Sequence, residues 1–235
     1  METSTFKRAY IWQLPVRAYH WTNAVAIFVL VITGFIIANP PGIITGKDAS
    51  EQFWFGYVRK IHFASAYIMC AVWIIRFYWA IMGNKYANWK VFFPYNKEGF
   101  HKMWHVIKYD LFLQNEKKYD FNNISIGHNP VAAISYFILF LMSFVMILTG
   151  FALYSPTASW FFPKMFSWVT SLCGDEMTVR MIHHVTMWGI VLFTVVHVYL
   201  VWYHDWLEGR GEGSAMISGY KFVRAERLSK DKKEK

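Results

Sequence analysis

Apolar residues gather into four long runs, at roughly 20–38, 61–82, 131–154 and 182–204, with polar punctuation between them. Each run is long enough to cross the roughly 30 Å of a bilayer's hydrocarbon as a helix. A helix satisfies its own backbone donors and acceptors where no water can, so spanning helices are the expected elements. The punctuation agrees. Asn39-Pro40-Pro41-Gly42 stops the first run, and Asn129-Pro130 opens the third as a cap followed by proline at the first helical position. Gly174-Asp175-Glu176 precedes the fourth. Between the second and third runs, Phe100, Met103, Trp104, Ile107 and Leu111 recur at helical spacing, with Lys102, His105 and Lys108 off that stripe. This pattern predicts a short helix lying in the membrane interface. The expected fold is an all-α membrane protein: a four-transmembrane-helix bundle over residues 1–204, with a loop at 83–130, then a charged tail at 205–235. The end of that tail, from Tyr220 to Lys235, is rich in charge and is expected to be frayed or disordered.

Composition supports lipid as the main solvent. Hydrophobic residues make up 55% of the 235 positions, and the charged share of 17% falls below the roughly 25% of soluble domains. Twelve tryptophans suit aromatic belts at the membrane–water boundaries. A net charge of +9 raises the question of nucleic acid, but the basic residues sit in loops and tail between apolar spans, so no nucleic-acid partner is expected. Their distribution instead fixes an orientation. With both termini on one side, that side holds eighteen Lys and Arg and the other five. The positive-inside rule then puts both termini and the 83–130 loop in the cytoplasm, with the bundle in the cell inner membrane. Residues 1–20 lack the apolar stretch and cleavage site of a removed signal peptide, which leaves targeting to the first span. Cys70 and Cys173 form no CxxC motif, so neither an iron–sulfur cluster nor covalently attached haem is indicated.

Ionisable groups at membrane depth are costly and usually functional. Four of the nine histidines lie there: His20, His62, His183 and His197. His183 and His197 are fourteen positions apart, which brings them within about 40° of one helix face and ~21 Å apart along the axis. That spacing predicts two stacked haems, one near each membrane surface. His184 points about 140° from His197 and is the weaker candidate. Topology pairs His62 with His183 near the periplasm and His20 with His197 near the cytoplasm. Two neutral imidazoles per iron leave no open position, so electron transfer and not oxygen binding is expected. Arg17, Arg59 and Arg180 each precede a histidine by three residues, one turn closer to the headgroups, where each would reach a haem propionate or anchor a helix end. Arg76 shares a face with His62 and is a fourth propionate candidate. Gly34 and Gly150 lie in an echoed phrase, Thr33-Gly34-Phe35 and Thr149-Gly150-Phe151, and would give a macrocycle room or let helices pack closely. His101 and His105, at i and i+4, read as an interfacial polar face before a metal pair.

These phrases resemble the b-type cytochrome subunit of membrane-bound nickel–iron hydrogenases. The resemblance rests on Arg17-x-x-His20-Trp21 running on to Thr33-Gly34, and on Arg180-x-Ile182-His183-His184-x-x-x-Trp188 running on to Phe193 and His197. Arg59-x-x-His62-Phe63 and Gly127-His128-Asn129-Pro130 fit as well. It covers nearly the whole chain in order. Thr22 and Met181 depart from the usual residue types but touch no proposed ligand. The resemblance implies two haem b groups and a membrane anchor for a periplasmic hydrogenase, with the iron–sulfur small subunit and the nickel–iron large subunit as partners beside membrane lipid. It implies electron transfer to a quinone, menaquinone or ubiquinone, by a subunit with no hydrogen-splitting site of its own. His128 and Asn129 are the quinone candidates, since a histidine donates a hydrogen bond and relays protons near neutral pH. The rival readings are a cytochrome subunit of a formate dehydrogenase or thiosulfate reductase and, from another class, a haem-free membrane anchor or transporter.

Overall fold

The computed structural model describes residues 5–41, 53–89, 100–101, 104, 130–208, 211–225 and 228–229. Four long helices dominate: α1 (Leu14–Ala38), α2 (Trp54–Met82), α3 (Pro130–Tyr154) and, after the short helices α4 (Phe161–Lys164) and α5 (Ser167–Cys173), α6 (Glu176–Glu208). All four are long and apolar enough to span a membrane. A last short helix, α7 (Glu212–Ser218), leads into strand β2 (Tyr220–Arg224), which pairs with β1 (Phe6–Tyr10). Three of the spans outrun their apolar runs. α1 begins at Leu14, α2 at Trp54, and α6 extends to Glu208. The helix does not stop where the lipid does, because its hydrogen-bond ladder continues into the headgroup region as long as the residues tolerate it. Asp175 caps α6: its carboxylate accepts from the Thr178 N–H at 2.7 Å and the Thr178 hydroxyl at 3.3 Å. These bonds favour the ionised form and hold its pKa below the ordinary carboxylate range.

Of the expected interfacial stripe, Phe100 and Trp104 are helical and exposed, as is His101; Lys102, Met103, His105, Ile107, Lys108 and Leu111 lie outside the described residues. The expectation of a frayed end fails for Tyr220–Arg224. That segment is a strand, antiparallel to β1 with Phe6 opposite Arg224 and Tyr10 opposite Tyr220.

The chain divides into two compact units, Met1–Arg17 with Tyr78–Leu141 and Val195–Lys235, and Ala18–Phe77 with Met142–Thr194. In the first unit the strand pair closes over a core of Ile11, Trp12, Val16, Ala87, Ala215 and Val223. Gln13 Oε1 accepts from Trp79 Nε1 and from the Asn84 N–H, both at 3.0 Å, and Asn84 Nδ2 donates to the Ile11 carbonyl at 2.9 Å. Lys221 is buried and ion-paired with Glu212 of α7. An Arg17 guanidinium nitrogen donates to the Ile217 carbonyl.

Gly219 is the corner of this clasp. Its φ is +84°, and its carbonyl accepts from the N–H groups of Ile11 and Trp12. A Cβ there would lie 2.6 Å from Tyr10 Cε2 and 2.8 Å from the Trp12 carbonyl oxygen. Gly219→Ala therefore combines left-handed strain with a backbone clash and should cost about 2–3 kcal/mol locally. Limited proteolysis in detergent is expected to cut the variant's C-terminal segment faster. Gly56→Ala, where a Cβ meets nothing within 4 Å, should behave as the parent. Equal cleavage rates for Gly219→Ala and the parent would refute this account of the corner.

The second unit is built for lipid. Its buried positions include small or hydroxyl-bearing residues, among them Ala26, Thr33, Ser65, Ser143, Thr149 and Ala152. Large apolar side chains such as Phe28, Ile74, Phe144, Val185 and Leu192 point outward. Hydrocarbon accepts those side chains without penalty, so close interhelical approach falls to the small residues. At Gly189 of α6 a Cβ would sit 3.0 Å from Met142 Sδ of α3.

Candidate functional site

Contacts in the second unit link the four helices in chain order. α1 meets α2 at Thr33 and His62. α2 meets α3 where Phe63 stacks on Tyr154, with ring centroids 4.0 Å apart, and where Tyr67 packs on Phe151. α3 meets α6 at Thr149 and His183, and α6 returns to α1 where Trp188 meets Phe35 edge-on at 5.3 Å. His62 and His183 thus stand on alternate helices of the ring.

The two histidines are held in the same way. Thr33 Oγ1 lies 2.8 Å from His62 Nδ1, and Thr149 Oγ1 lies 2.8 Å from His183 Nδ1. Each threonine hydroxyl donates to the carbonyl four residues back in its own helix, Val29 at 2.6 Å and Val145 at 2.7 Å. A hydroxyl has a single proton. With that proton given to the carbonyl, only lone pairs remain for the imidazole, so Nδ1 carries hydrogen and donates. The neutral Nδ1–H tautomer leaves Nε2 of both rings with a free lone pair, the form a metal needs.

The echoed glycines explain themselves here. A Cβ on Gly34 would meet His62 Cε1 at 3.5 Å, and one on Gly150 would meet His183 Cε1 at 3.2 Å. The room they leave is occupied by the two imidazole rings. The two Thr-Gly pairs are thus seats: threonine fixes the ring's rotation, and glycine lets it lie against the neighbouring helix. Thr33 and Thr149 stand beside these glycines in the repeated Thr-Gly-Phe phrase, the one trace of this arrangement in the sequence.

The other expected residues are placed less fully. His20 belongs to the second unit and packs edge-on against Trp21 at 5.2 Å. His197 belongs to the first, with Tyr136 Oη 3.5 Å from its Nδ1, long for a bond of this type. Tyr136 was not anticipated. Arg59 lies over the Phe63 ring at 5.7 Å, Arg180 pairs with Glu176 at 2.7 Å in an exposed helical ion pair, and Arg76 interacts with the Tyr19 phenol. His128 and Asn129 lie outside the described residues.

A family model described as prokaryotic cytochrome b561 matches residues 11–219. The chain belongs to that family. It is a membrane cytochrome of the b type, and its cofactor is haem b. A Cupriavidus necator protein named "Probable Ni/Fe-hydrogenase B-type cytochrome subunit" is 39% identical, over 92% of this chain and 88% of its own. A Rhodobacter capsulatus protein of the same name is 36% identical over 93% and 83%. The "Probable Ni/Fe-hydrogenase 1 B-type cytochrome subunit" of Escherichia coli K12 is 34% identical over 90% of each chain. The residues present fit the cofactor. Two imidazoles with free Nε2 lone pairs sit on alternate helices of a ring, in cradles a side chain would fill.

Proposed function

We propose that this chain is a dihaem cytochrome b that anchors a periplasmic nickel–iron hydrogenase and passes its electrons to the quinone pool. The observation that carries the reading is the matched pair of threonine-oriented imidazoles, His62 and His183. Haem b, when bound, supplies a one-electron ferric–ferrous couple. Nε2 of each of these histidines would hold the iron, and His20 and His197 would hold a second one nearer the cytoplasm. Four imidazoles close all axial positions, which suits electron transfer. Phe63, next in the chain to His62, packs on Tyr154, and Tyr67 packs on Phe151, across α2 and α3. Arg17, Arg59, Arg76 and Arg180 are the candidate partners for propionates, and the Arg180–Glu176 contact, exposed to solvent, costs little to exchange.

The excess of basic residues on the side of the termini supports a cytoplasmic location for both ends and a periplasmic location for the His62–His183 pair. An electron donor bound at the periplasmic face fits that order, as do the relatives' names, which place them with nickel–iron hydrogenases. The quinone, menaquinone or ubiquinone, would be reduced at the cytoplasmic end, with His128 delivering a proton from its ring and Asn129 bonding a quinone carbonyl. That assignment is carried by sequence position alone.

The purified chain is expected to give a reduced-minus-oxidised b-type spectrum with two haems per polypeptide, and to co-purify with a nickel–iron protein from its native membrane. A spectrum without a b-type band sinks the cytochrome reading for this chain. A molybdenum-containing partner in place of the nickel–iron one sinks the hydrogenase assignment alone.

A further inference from the structure

We infer that Thr33 and Thr149 are positioning residues that tune the haem potential, by fixing the tautomer and rotation of the two imidazoles and enriching both in electron density. The inference rests on the reading of His62 and His183 as the iron ligands. It starts from the hydroxyl's accounting. Each threonine spends its proton on a backbone carbonyl, at 2.6 Å for Thr33 and 2.7 Å for Thr149, with a second carbonyl at 3.3 and 3.4 Å. The oxygen left over faces Nδ1 at 2.8 Å in both cases. A hydroxyl that already donates is a better acceptor, because chained hydrogen bonds polarise one another. The imidazole that donates to it gains anionic character, and its Nε2 becomes a stronger σ-donor toward iron.

The effect has a sign. A more basic imidazole stabilises ferric over ferrous iron, so each Thr–His bond lowers the potential of the couple it serves. If His62 and His183 hold one iron, both threonines would act on the same couple, and their effects would point the same way. Both are also nearly fully buried, Thr33 at 6% exposure and Thr149 at 3%, so bulk water does not substitute for them as acceptors.

The test uses the full-length cytochrome and four variants: Thr33→Val and Thr149→Val, which keep shape and remove the oxygen, and Thr33→Ser and Thr149→Ser, which keep the oxygen and remove a methyl. Redox titration followed by optical absorbance gives two midpoint potentials in the parent. Each valine variant is expected to raise only one of them, shifting the ferric-to-ferrous ratio about tenfold at a fixed poise, which is ~59 mV for one electron. The matching ferric electron-spin-resonance signal should move as the freed ring rotates, and each serine variant should restore both readouts. Valine variants that bind haem with unchanged potentials and an unchanged resonance signal overturn the inference. Where a valine variant loses a haem, the serine variant decides: retention at the parental potential supports the hydroxyl's role, and loss there as well overturns it. An absent b-type spectrum in the parent marks failure of the ligand reading itself, and takes this inference with it.

Discussion

His183→Ala is expected to halve the haem content of the purified cytochrome, from two per chain to one. The imidazole of His183 is the group that Thr149 orients and Gly150 makes room for. Loss of an outer partner alone typically weakens metal binding about 10- to 100-fold. Loss of the ligand itself must exceed that, so the site should be empty after detergent purification. The remaining haem, proposed between His20 and His197, should keep its band and its potential. His184→Ala is the control. It removes a neighbouring imidazole about 100° around the same helix, where no threonine contact is seen, and it should retain both haems. A pyridine haemochrome assay per mole of protein reads both outcomes. Two haems in His183→Ala, or one in His184→Ala, would refute the assignment of His183 as an axial ligand.

The shared helix of His183 and His197 was legible because their spacing is a period. Fourteen positions between His183 and His197 is a statement about one helix, and α6 runs unbroken from Glu176 to Glu208. The span centres were legible because lipid selects composition over twenty residues at a time. Their ends were not. Trp54 to Lys60 is too polar to count as hydrocarbon-buried, yet it continues α2, so His62 sits about two turns inside its helix and not at its start. The clasp at the termini was hidden for a different reason. Strand β2 lies in a basic stretch and is made a strand only by its pairing with Phe6–Tyr10, more than two hundred residues away. No local pattern encodes that partner. Thr33 and Thr149 were hidden in plain view. A threonine in a membrane helix usually bonds its own preceding turn, as both do here, and a sequence does not show that a lone pair remains for a histidine on the next helix.

The two glycines should respond differently to the same small change, and alike to a large one. At Gly34 an added Cβ would stand 3.5 Å from His62 Cε1, an ordinary contact. Gly34→Ala is therefore expected to keep two haems with unshifted potentials. At Gly150 the same Cβ would stand 3.2 Å from His183 Cε1, and the ring must yield by a few tenths of an ångström. It cannot yield freely, because Thr149, the adjacent residue, ties Nδ1 at 2.8 Å. Alanine's better helix propensity, about 1 kcal/mol over glycine, works in its favour at both positions and so cannot produce a difference between them. Gly150→Ala is thus expected to bind haem at the His62–His183 site, with that site's resonance signal displaced and its affinity lowered several-fold. Leucine at either position fills the seat outright, and overpacking by three more carbons should leave that site without haem while sparing the other. Haem counts and resonance spectra on Gly34→Ala, Gly150→Ala, Gly34→Leu and Gly150→Leu read the whole pattern. Two haems retained in both leucine variants would show that the rings do not rest on these glycines, and an unaltered spectrum in Gly150→Ala would show that the His183 seat is looser than its contacts require.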